Sequence, residues 1–104
     1  MKKTIALAII LGIAAPVAQA QEFACTAYVD RDFRGAGKGL NPGQSSSQTR
    51  INDKISSFRI VRGCRVVAYE HAEFRGPSAQ WTQSVPYVGD NWNDLISSWR
   101  CLCN

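Results

Sequence analysis

Histidine is almost missing from this chain, with His71 the single example in 104 residues. There is no G-x-S-x-G stretch and no pair of carboxylates placed to flank a cleft. Nothing assembles a nucleophile with its base, and an enzyme is not expected. A zinc centre is disfavoured for a similar reason: the four cysteines include no C-x-x-C pair. No segment after residue 20 holds a helical period, and no apolar run beyond residue 17 is long enough to span a membrane. Clustered positive charge is lacking too. Arg31, Arg34, Arg50, Arg59, Arg62, Arg65, Arg75 and Arg100 are dispersed as on a solvated surface, which argues against nucleic acid.

What is there begins with Lys2 and Lys3, an apolar run over 5–17 and the small-residue ending Ala18-Gln19-Ala20. This reads as a secretory signal peptide, residues 1–20, cut after Ala20. The run is too short for a comfortable membrane anchor. Losing Lys2 and Lys3 leaves ten basic residues against the same eight acidic ones, so the mature net charge is +2 and the pI near 9.1 overstates how basic the working protein is. The product, residues 21–104, is expected in a periplasm or outside the cell, as a monomer without a membrane span.

All four cysteines, Cys25, Cys64, Cys101 and Cys103, fall in that exported part, and two disulfides follow from the compartment. Cys101 and Cys103 share a face if they lie on a strand. A bond between them would close a tight ring, so Cys64 is expected to pair with one of them and Cys25 with the other. A domain this small buries a modest core, and the two cross-links would form a large part of its stability.

The hexapeptide Asn52-Asp53-Lys54-Ile55-Ser56-Ser57 returns as Asn93-Asp94-Leu95-Ile96-Ser97-Ser98. Each copy offers an amide oxygen, a carboxylate and two hydroxyls, interrupted by an Ile that must point into a core. Hard oxygen donors on a short loop suit calcium, which takes six to eight oxygens. One hexapeptide cannot aim that many at a point, so two copies close in space make a better site than either alone.

The same offset of 41 residues also superposes Tyr28 on Tyr69, Phe33 on Phe74, Arg34 on Arg75, Gly35 on Gly76 and Arg59 on Arg100, eleven identities in forty positions between 23–62 and 64–103. Two units of this length must bury their apolar faces on each other, giving one domain jointed at 61–63. Short β-branched and aromatic segments at 24–29, 56–61, 65–69 and 97–102 read as strands. Gly35-Ala36-Gly37-Lys38-Gly39, Asn41-Pro42-Gly43 and Gly76-Pro77 read as turn punctuation, and Ser45-Ser46-Ser47-Gln48 as a loop with its counterpart at 86–91. The fold class is all-β, a sandwich of two four-stranded antiparallel sheets.

Tyr28, Phe33 and Gly35 followed by the serine-ended 52–57, repeated as Tyr69, Phe74, Gly76 and 93–98, resemble the βγ-crystallin family over essentially the whole mature chain. The resemblance implies two Greek-key motifs, at about 23–62 and 64–103, each with a folded β-hairpin pinned by Ser57 or Ser98. The hairpin rings are expected to stack as ordinary sandwich core, shaping the site without touching an ion.

The resemblance also implies two Ca²⁺ per domain, with the motifs exchanging ligands across a pseudo-twofold axis. Ser56 and Ser97 would give hydroxyls, Asp53 and Asp94 carboxylates, and Lys54 and Leu95 backbone carbonyls. Hairpin carbonyls near Val29 and Glu70 would complete the shells, while Asn52 and Asn93 would order the loops or give a carbonyl. With one formal negative charge per motif and Lys54 at one rim, binding between micromolar and sub-millimolar at unequal sites is expected. Two other roles fit the same fold. Some secreted bacterial proteins similar to βγ-crystallins inhibit metalloproteases, although those tend to lack intact calcium hexapeptides. An envelope or matrix module could instead bind glycan or protein through Trp81, Tyr87 and Trp92, though tryptophan is more often core. His71 reads as a surface residue of the second hairpin.

Overall fold

The computed structural model describes residues 23–47 and 54–104. The expected leader at 1–20 and the motif residues Asn52 and Asp53 lie outside the described residues. Seven strands follow in order: β1 (Cys25–Asp30), β2 (Arg34–Leu40), β3 (Ser45–Ser46), β4 (Ser57–Ile60), β5 (Cys64–His71), β6 (Arg75–Trp81) and β7 (Ser98–Cys103). They form two antiparallel sheets, β2-β1-β4 and β3-β7-β5-β6. No described helix is long and apolar enough to cross a membrane.

Alternation along the strands decides what is buried. Cys25 and Ala27 of β1 and Val66 and Ala68 of β5 face inward, while Thr26, Tyr28, Val67 and Tyr69 face out. The small inward residues make room for large partners: Ala27 lies opposite Phe58, and Ala68 opposite Trp99. Phe58 and Trp99 then meet in the middle with ring centroids 5.2 Å apart, and Trp81 adds a third ring 5.5 Å from Phe58. Ile55 and Ile96 are both fully buried. The apolar member of each hexapeptide therefore goes into the core as its isolation among polar neighbours required.

The units exchange their third strands. β3 belongs to the first unit but pairs with β7 of the second, Ser46 opposite Trp99. The reciprocal exchange is a single bridge between Phe58 and Val85, closed by two backbone hydrogen bonds of 3.1 and 2.9 Å. Among the described residues the eight-strand plan is thus met by seven strands and one bridge. Pro86 follows Val85 at once and has no N–H with which to continue a ladder. Phe58 and Trp99 are 41 residues apart, but their partners Ser46 and Val85 are 39 apart. The first unit spends its extra residues on the turn around Asn41-Pro42-Gly43, the second on a longer loop after Pro86.

Two turn expectations are corrected here. The glycine-rich stretch after Phe33 is strand β2, and Gly76-Pro77 lies within strand β6. Both are outermost in their sheets, where a missing N–H or side chain is tolerated. Ser45 and Ser46, expected in a loop, form β3.

Both disulfides are present with the expected division of partners. Cys25–Cys101 runs from β1 to β7, joining the two sheets through the core, and both residues are fully buried. Cys64–Cys103 links residues directly opposite each other on β5 and β7, their Cα atoms 4.0 Å apart.

Candidate functional site

Each hairpin turns on three left-handed positions within four residues. Asp32 and Phe33 have φ of 59° and 60° and Gly35 has φ of 82°; Glu73, Phe74 and Gly76 repeat this at 60°, 58° and 83°. Left-handed backbone costs a side-chain-bearing residue about 1 kcal/mol or more, so something must hold it. One serine does so in each unit. The Ser57 hydroxyl donates to the Asp30 carbonyl at 2.6 Å and accepts from the Phe33 N–H at 3.1 Å. Ser98 does the same with His71 and Phe74, at 2.6 and 2.9 Å. This is the pinning expected of Ser57 and Ser98.

The hairpin rings depart from expectation. Tyr28 and Phe33 meet edge to face at 6.2 Å, and Tyr69 and Phe74 at 5.7 Å, on the outer side of the sheets and only half-buried. They are not sandwich core. Tyr28 and Tyr69 fall on the outward positions of strands whose inward positions hold alanine and cysteine. Arginine covers the rings: the Arg59 guanidinium lies 4.2 Å over Phe33 and that of Arg100 3.8 Å over Phe74. Sequence reasoning treated these two arginines as plain surface, although their identity at the repeat offset was the available signal.

The hexapeptides come together across the units. The Ser56 hydroxyl, nearly buried, donates to the side-chain oxygen of Asn93 at 2.5 Å. Ser56 N–H is held by the Tyr28 carbonyl at 2.8 Å and Ser97 N–H by that of Tyr69 at 3.0 Å, so each motif is tied to its own hairpin strand. The loop carrying Asn93 is in turn fastened to the first motif. Val88 N–H donates to the Ser56 carbonyl at 2.9 Å and Asp94 N–H to the Ile55 carbonyl at 3.3 Å. Asp94 itself is exposed in the left-handed region, φ 63°, and Leu95 and Lys54 are exposed beside the two motifs. The register of β1 with β2 slips between Tyr28 and Asp30, and that of β5 with β6 between Tyr69 and His71. Val29 and Glu70 are therefore the bulged residues, left out of regular pairing. These are the positions expected to offer hairpin carbonyls.

Among the described residues no three carboxylate, imidazole or thiol side chains cluster. Among the described motif residues, a cation would rely on hydroxyl, amide and carbonyl oxygens with one carboxylate, Asp94. That donor set fits calcium and not a transition metal.

Three residues beside this pair were not anticipated as a group. The Arg31 guanidinium stacks 4.1 Å over the Tyr87 ring, and the Tyr87 hydroxyl donates to Asp90 Oδ1 at 2.6 Å. That hydrogen bond, followed by burial and the Asp90 charge, raises the Tyr87 pKa above the ordinary tyrosine value, with Arg31 opposing and Asp94 adding slightly. Trp81 and Trp92, considered as exposed binding aromatics, pack on each other at 6.2 Å and against the core. His71 is exposed, its ring lying across Gly76. A surface pocket of about 200 Å³ lies elsewhere, lined by Gly63, Cys64, Arg65, Thr82 and Asn104, and no hexapeptide residue borders it.

Residues 64–101 match the model of peptidase inhibitor family I36. No curated protein matches the chain. Among solved structures, a βγ-crystallin domain from Flavobacterium johnsoniae is similar at 31% identity and TM-score 0.72, covering 78% of this chain and 96% of that one. A βγ-crystallin domain from Clostridium beijerinckii follows at 29% identity and TM-score 0.70, with 76% and 97% covered. The N-terminal domain of Protein S shares the fold, at 24% identity and TM-score 0.68, with 76% and 94% covered.

Proposed function

Because this chain belongs to the βγ-crystallin family, we propose that it is an exported, non-enzymatic calcium-binding domain, stabilised when its paired motifs hold the ion. The observation that carries this reading is the Ser56–Asn93 contact. It brings oxygens from the two hexapeptides within 2.5 Å of each other, as ligand exchange between the units requires. Ser56 would give its hydroxyl, Asp94 its carboxylate and Val29 a carbonyl to one ion; Ser97, Asp53 and Glu70 would serve the other. The ion would supply charge that draws both units together, and it would bind the folded chain only. Saturation at a hundredfold over Kd would then add about 2.7 kcal/mol. Two disulfides in so short a chain support an oxidising, extracytoplasmic location.

The test is isothermal titration of calcium into the oxidised 21–104 domain, paired with melting curves in EDTA and in millimolar calcium. Heat of binding and an upward shift in Tm are expected, both lost in Ser56→Arg with Ser97→Arg. A flat titration together with unmoved melting overturns the reading.

A second reading, inhibition of a secreted peptidase, is supported by the family match over 64–101. Residual activity of a panel of secreted metalloproteases at rising concentrations of the domain tests it. Full activity at stoichiometric excess would remove it.

A further inference from the structure

We propose that Arg31, Tyr87 and Asp90 form a clip that sets the Ser56–Asn93 pair in place before any ion arrives, so that this clasp binds calcium more tightly than its counterpart. This rests on the calcium reading above. Arg31 belongs to the first hairpin, whereas Tyr87 and Asp90 belong to the second unit's long loop. The clip therefore spans the same boundary as the clasp. Its parts reinforce one another: Arg31 covers the Tyr87 ring, Tyr87 holds Asp90, and Asp32 N–H donates to the carbonyl of Pro86 at 2.9 Å. Beyond the clip the loop is fastened by Val88 to Ser56, by Asn93 N–H to the Gly89 carbonyl at 2.8 Å, and by Asp94 to Ile55. Asn93 is thereby delivered to the Ser56 hydroxyl from a loop closed at both ends.

The repeat shows that this device was not duplicated. At the 41-residue offset Arg31 becomes Ala72. Tyr87 becomes Ser46 and Asp90 becomes Thr49 at that offset, or Gln48 and Ile51 at the 39-residue offset of the exchanged strand. None of these is aromatic or acidic. The second hairpin has the matching backbone bond, Glu73 N–H to the Ser47 carbonyl at 2.8 Å, but the sequence lacks the residue types for a clip. A loop ordered in advance pays less on binding, and the difference appears as affinity.

Tyr87→Phe keeps the ring for Arg31 and removes the hydroxyl; Arg31→Ala removes the stacking. Each is titrated with calcium chloride beside the unaltered domain, and amide exchange of Val88 and Asp94 is followed in calcium-free protein. The unaltered domain is expected to fill in two steps. Both variants should weaken the tighter step about three- to tenfold, the worth of one hydrogen bond or stacked cation, leave the weaker step alone, and speed exchange at Val88 and Asp94. Unchanged binding in both variants, or equal weakening of both steps, overturns the clip while leaving calcium binding intact. Inequality due to Lys54 alone predicts that unchanged result. Absence of any binding by the unaltered domain overturns the calcium reading and the clip with it.

Discussion

At the scale of single residues, the molecule places hydroxyls where backbone is under strain. Ser57 and Ser98 each satisfy one donor and one acceptor that a left-handed hairpin leaves unpaired, and both are fully buried. An unsatisfied buried group costs about 1–3 kcal/mol, comparable to the strain of a left-handed residue, so by satisfying two such groups the serine offsets the strain of the folded-back hairpin. Tyr87 shows the same economy at the surface, where its hydroxyl holds Asp90 at 2.6 Å. Its pKa is raised in the folded chain, mainly by that hydrogen bond. The linked stability is intact below the ordinary tyrosine value of about 10 and falls as pH rises through the folded value, because the unfolded chain then releases the proton first. The phenolate absorbance present in the unaltered protein and absent from Tyr87→Phe should accordingly rise with its midpoint above pH about 10. A midpoint of that component at or below this value would show that Asp90 does not hold the hydroxyl in solution.

Among elements, the edge strands show where sequence reasoning reached and where it stopped. The hairpins, the hexapeptide isoleucines and the division of disulfide partners were legible, because each depends on local chemistry written twice or on a short covalent reach. Strands β2 and β6 were not, since glycine and proline signal turns unless the strand is known to lie at an edge. The Arg31–Tyr87–Asp90 group was hidden for the opposite reason: it is absent from the repeat, and the offset that exposed the other pairs passes over it. The glycines of β2 differ in role, and that difference can be measured. A Cβ on Gly35 would meet Asp30 Oδ2 at 2.6 Å and Val29 Cγ2 at 2.7 Å on a backbone already at φ 82°. On Gly39 the nearest atoms it would meet belong to the ring of Phe23, from 2.1 Å, and that residue is exposed, with solvent into which a side chain can turn. Gly35→Ala should therefore cost about 1–3 kcal/mol in urea unfolding, and Gly39→Ala less than about 1 kcal/mol. Equal losses would mean that the hairpin geometry imposes no special demand at Gly35.

For the molecule as a whole, neither unit closes a core alone: Phe58 of one lies against Trp99 of the other, and each sheet borrows pairing from its neighbour's third strand. The two disulfides act on this shared body in different ways. Cys25–Cys101 spans 76 residues and Cys64–Cys103 spans 39, a doubling that separates their loop-closure contributions by only about 0.6 kcal/mol. Chain entropy therefore does not rank them; access does. Cys25 and Cys101 are fully buried between the sheets, so a thiolate reaches that bond only after the sandwich opens. Cys64 is buried but borders the surface pocket, and Cys103 is half-buried, so their bond is the more accessible of the two in the folded state. Graded reduction under native conditions, with alkylation of the released thiols and peptide mass analysis, should label Cys64 and Cys103 first. Label on Cys25 and Cys101 should appear only at the rate of global unfolding, and calcium should slow it further if the ion binds the folded chain. Simultaneous labelling of all four cysteines at low reductant would show that the sandwich opens as readily as its surface bond exchanges.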